Sequence, residues 1–133
     1  MYISPKYTVE DWKTIDFSTE EDWHKAISIF EDRIRGRFLD LIHAIKSRTY
    51  AGFAVLALDC LLIETLQQFR EGEPETPPRM STKYFIRFLT ETSFRDFFDE
   101  KTACMFYDQI RNGILHQAEV KESSRVLIRK EAP

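Results

Sequence analysis

Apolar residues recur along this 133-residue chain at helical spacing and seldom alternate in the manner of a strand. Ser18-Thr19-Glu20-Glu21 carries a capping-box signature, and behind it Trp23, Ile27, Phe30, Ile34, Phe38, Leu41, Ile42 and Ile45 mark one face. Together they predict a first helix over 19–47. A second helix is predicted over 50–70; it is apolar nearly all round, as expected of a buried central element. Gly72-Glu73-Pro74-Glu75-Thr76-Pro77-Pro78 then forbids regular structure and predicts an acidic, exposed loop. Ser81 or Thr82 can cap a shorter third helix through Phe85, Ile86, Phe88 and Leu89, and Ser93 or Asp99 can start a last helix ending near Ala118. Ser124 to Lys130 reads as one short strand. A lone strand is unstable, so it needs Tyr2-Ile3, another chain or further sequence to pair with.

These elements predict an all-α bundle of four to five helices in a single domain over 1–133, with a short C-terminal strand. Composition agrees: 43% of residues are apolar, with only four Gly and five Pro. A net charge of -3 excludes a duplex-binding protein held by broad basic surfaces, so any RNA site must be a local basic patch. Cys60 and Cys104 have no metal-ligand spacing and read as reduced thiols of a cytoplasmic protein. Met1 to Lys6 lacks the apolar stretch of a signal peptide. The run 51–69 is the only membrane candidate, and Asp59, Glu64, Gln67 and Gln68 interrupt it, so no membrane is expected as a partner.

The chemistry concentrates in Arg111-Asn112-Gly113-Ile114-Leu115-His116, late in the last predicted helix. Arginine presents a planar fork of donors suited to phosphate, and histidine exchanges protons near neutrality. Placed at about 100° per residue, Ala103, Phe106, Tyr107, Ile110, Ile114 and Ala118 form the core stripe, while Asn112 and His116 share another face. Met105 and Leu115 lie near that second face, apolar where a monomer would be polar, with Asp108 at the rim. Arg111 and His116 are about 140° apart on a regular helix and do not stack on each other.

An Arg, then a polar residue, then His four places further on resembles the motif of the HEPN superfamily. These are small helical domains, many of them metal-independent ribonucleases acting as toxins or defence effectors. Arg37 and His43 fit the family's looser spacing too, but Phe38 stands where the polar residue belongs and the pair is not in the last helix. The resemblance implies a homodimer in which two copies of Arg111, Asn112 and His116 meet across one RNA-cleaving cleft, Met105, Asp108 and Leu115 lying at the interface. It also implies that an acidic residue of the second helix, Glu64 or Asp59, approaches Arg111. No metal and no cofactor are expected, and a protein antitoxin is an expected partner. In one toxin branch a Tyr stands two residues after the motif His; here that place is Ala118, which puts its modification by an antitoxin in doubt. The competing expectations are a non-catalytic HEPN-like dimer binding nucleotides, RNA or a protein, and a structural helical subunit.

Overall fold

Side-chain caps at Thr8, Thr19 and Asp99 set where some of the helices begin. Thr8 forms a capping box with Asp11 at the start of α1 (Val9–Lys13), a short helix that the apolar spacing gave no sign of. α2 (Glu20–Ile34) is capped by Thr19, whose hydroxyl accepts the Asp22 N–H. The cap thus falls one residue after the expected Ser18-to-Glu21 box, and the Asp22 carboxylate accepts the Asp16 N–H at 3.0 Å. The helix runs on through a widened π turn (Arg35–Leu39) into α3 (Asp40–Ile45). α4 (Gly52–Glu71) ends at Gly72, which takes up φ 70° as only glycine does cheaply. The predicted acidic loop follows, then α5 (Ser81–Glu91), a 3-10 turn (Ser93–Asp96), α6 (Glu100–Phe106) capped by Asp99, a second π turn (Tyr107–Arg111) and α7 (Asn112–Gln117).

This computed structural model describes residues 1–117, with side chains described through Ile114, so the predicted strand Ser124 to Lys130 lies outside the described residues. Within them the architecture is all-α. The chain divides into two compact units, Met1–Ile45 and Lys46–Pro133.

In the first unit, Ile15, Ala26 and Ile29 form a small core against which Ile3 and Tyr7 pack. The amino-terminal segment is fastened down at Asp32, whose carboxylate accepts the Ser4 hydroxyl at 2.7 Å and the Lys6 N–H at 2.9 Å. Pro5 consequently lies against Gly36 in the π turn, so closely that a Cβ there would stand 2.3 Å from the proline Cγ.

The second unit packs α4, α5 and α6 around Cys60, Phe85, Phe88, Leu89, Ala103 and Tyr107. Phe85 and Leu89, at 0% and 2% exposure, each contribute about 1.5–3 kcal/mol by leaving water. The expectation for α4 needs correction, for only Cys60 and Gln67 on it are buried, while Phe53, Leu61 and Phe69 stand 43%, 50% and 54% exposed. Its 20 residues are long and apolar enough to cross a membrane by length and composition. The residue that breaks its symmetry is Gln67: fully buried, it donates to Glu71 and accepts from Arg70, both at 2.8 Å, and so commits one face to protein contacts.

Candidate functional site

Arg111 closes the second π turn, where the Asn112 N–H reaches back five residues to the Tyr107 carbonyl. Such turns hold one residue more than an α turn and recur at functional sites. The extra residue shifts the helical phase, so Ile110 and Arg111, adjacent in sequence, both face α4 and α5. Ile110 is 8% exposed and the Arg111 side chain 16%. A constant 100° per residue had placed Arg111 off the core face.

Its guanidinium is almost fully committed. Nε donates to Glu64 Oε1 at 2.8 Å, and Nη2 lies 2.8 Å from the same oxygen. Nη2 also donates to Ser81 Oγ at 3.1 Å, and Nη1 to Asn112 Oδ1 at 3.2 Å. Tyr107 donates its hydroxyl to Ser81 at 3.3 Å and presents its ring to the guanidinium carbon, 5.1 Å from the centroid. Ser81 in turn donates to Glu64 at 3.1 Å, which fills its one donor and both lone pairs. Of the five N–H groups of arginine, one on Nη1 has no partner among the described residues. Glu64 offsets the charge, so the site offers a neighbouring phosphate a fixed donor and little net attraction.

Glu64 is thus brought to Arg111. Asp59 is not: it lies one α4 turn away, bonds to nothing in the network, and has its carboxyl pushed up by burial. Its influence shows on Cys60, whose thiol is pushed up to about 12 by burial first and by Asp59 and Glu64 beside it, against the pull of Arg111. Gly113 is buried at the α4 side, and the helix continues past it, so neither Asn112 nor Gly113 ends the helix. Met105 is 47% exposed and Asp108 is exposed. His116 belongs to α7 by its backbone; its side chain and that of Leu115 lie outside the described residues. No group of His, Cys, Asp and Glu able to hold a metal ion exists among the described residues.

The other Arg and His pair assembles no such network, since Arg37 reaches only the Ile3 carbonyl at 3.5 Å and His43 is exposed. Two members of the Arg111 network were not legible as such. Ser81 looks like a helix cap, yet Met80 holds the cap position and leaves the hydroxyl free for Arg111. Tyr107 looks like plain core.

No protein-family model, no curated protein and no solved structure matches this chain.

Proposed function

We propose that this protein is a metal-independent RNA endonuclease of HEPN type, a toxin or defence effector of the cytoplasm, acting as a homodimer. The observation that carries the reading is the seating of Arg111. A cation fixed by Glu64, Ser81 and Asn112, with one N–H to spare, stands five residues before a histidine in one continuous helix. Prepositioned donors of this kind act without reorganising when charge develops in the transition state. His116 would take the proton of a ribose 2′-hydroxyl, and that oxygen would attack the adjacent phosphorus. The 5′-oxygen would leave with a proton from the partner's imidazole or from water, giving a cyclic phosphate and a free 5′-hydroxyl. Arg111 would hold a non-bridging oxygen, and Asn112 would keep the guanidinium in plane. Met105, Asp108 and Leu115 would line the two-fold contact. An antitoxin protein would restrain the enzyme by covering this cleft.

A second reading draws on the same network. With its charge offset and all but one donor used among the described residues, Arg111 also suits a non-catalytic helical dimer that binds nucleotides, RNA or a protein. Cleavage of single-stranded RNA in EDTA separates the two. The parent should cut, and His116→Ala should cut at least about a hundredfold more slowly. Equal rates, or a requirement for a divalent ion, would establish the binding module instead.

A further inference from the structure

On the side of α5 away from Arg111 lies a cavity of about 620 Å³. Lys83, Ile86, Arg87 and Thr90 line it at helical spacing, whereas Phe85, Phe88 and Leu89 fill the opposite, core-facing side of the same helix. Arg79 closes it before the helix and Arg95 after it.

Four cations around one cavity are unexpected in a chain of net charge -3. Arg87 is paired with Glu71 at 2.9 Å, but Arg79, Lys83 and Arg95 have no ion-pair partner among the described residues. Two acids stand at the rim, Asp99, which also caps α6 by accepting the Thr102 N–H at 2.7 Å, and Glu100. Four lining cations thus face two lining carboxylates. Arg79 further sits at φ 64°, a region that non-glycine residues avoid and that tends to occur where function holds it. A surplus of cations over carboxylates along one groove favours an anion there.

The cations do not converge on a point. Lys83 and Arg87 are one turn apart, about 6 Å along the axis, with Arg79 and Arg95 beyond either end of that pair. A line of cations matches a line of anions. Between them Ile86 and Phe98 give an apolar floor, and Phe97, next to Phe98 in sequence, is 78% exposed. A basic groove interleaved with exposed aromatic rings is the arrangement that holds single strands, the cations following the backbone and the rings stacking bases.

We infer that this groove binds the phosphodiester backbone of single-stranded RNA, as a track separate from the Arg111 cleft. The inference deepens the ribonuclease reading by naming where the substrate strand lies, and binding and cleavage can fail separately in its test. The His116→Ala full-length protein serves as a non-cleaving background, and a fluorescein-labelled 12-nucleotide single-stranded RNA is titrated in EDTA at several salt concentrations by anisotropy. Adding Lys83→Glu with Arg95→Glu should raise Kd at least tenfold at low salt and flatten the logarithmic salt slope by about 1.4, the share of two phosphate contacts. Phe97→Ala should raise Kd several-fold and leave the slope unchanged. A charge-matched control, Lys6→Glu with Lys13→Glu, alters two exposed lysines that do not line the groove and should bind within about threefold of the background. All three groove residues are exposed, which keeps folding out of the comparison. An unchanged Kd and slope in the groove double variant, the same loss from the Lys6 and Lys13 control as from the groove variants, or no RNA binding at all would overturn the proposal. So would displacement by inorganic phosphate at equal phosphate concentration, which would mark a single-anion site, and binding of an acidic protein to the groove with RNA excluded would reassign it to a protein partner. A parent that binds RNA through the groove and never cuts it would sink the ribonuclease reading alone.

Discussion

Arg111 supports the fold through its ion pair with Glu64, and that contribution can be separated from the chemistry proposed for it. With Arg111 and Glu64 side chains only 16% and 18% exposed, removing the cation strands a half-buried carboxylate. Arg111→Ala should therefore lower stability by about 1–3 kcal/mol in urea denaturation, and Glu64→Gln in the same chain should restore part of the loss, since a neutral amide tolerates the site better. If Arg111→Ala is as stable as the parent, the pair does not support the fold, and any loss of activity belongs to the site alone. Cys60 gives a second reading at this scale. A buried thiol pushed up to about 12 stays protonated at pH 8, whereas Cys104 is exposed. Native protein should take up one equivalent of a thiolate-selective reagent at pH 8, and denatured protein two. Because the folded value is raised above the usual 9.0, the stability that Cys60 contributes is complete below pH 9 and is lost as pH climbs toward 12. Rapid modification of Cys60 in the native state would show that α4 opens locally.

Among the elements, the two π turns mark the limit of what the sequence shows. The long helices, the acidic loop and the Asp99 cap follow from spacing and capping chemistry, and the structure has them within a few residues. A π turn leaves no such trace, because one extra residue changes the phase and not the composition. Tyr107 and Arg111, four apart, are neighbours even on a regular helix, but nothing in the sequence ties them to Ser81, which stands 30 residues before Arg111. α4 misled for another reason. Apolar residues all round a helix describe its composition, and whether partners cover every side is decided elsewhere. Gly36 allows a test of one π turn. In a helix, Gly→Ala is normally worth about 0.5–1 kcal/mol. Here the new methyl would meet a proline ring held in place through Ser4 and Asp32, so the sign should reverse. Thermal denaturation should show Gly36→Ala destabilised by about 1–3 kcal/mol, the usual cost of overpacking. A raised melting temperature would mean that the amino-terminal segment yields freely.

At the scale of the whole molecule, the all-α class is legible from periodicity alone, and so is the need for a local basic patch in an acidic chain. The patch itself was not, since Arg79, Lys83, Arg87 and Arg95 are scattered through a loop, a helix and a turn and come together only in the fold. The division into Met1–Ile45 and Lys46–Pro133 sorts these features unevenly. Glu64, Ser81, Tyr107, Arg111 and the whole groove fall after Lys46, while the first 45 residues hold a core, a fastened amino terminus and no member of either site. Substitutions on the surface of the first 45 residues should therefore leave the contacts of the Arg111 network in place, while those after Lys46 can reach both the network and the groove.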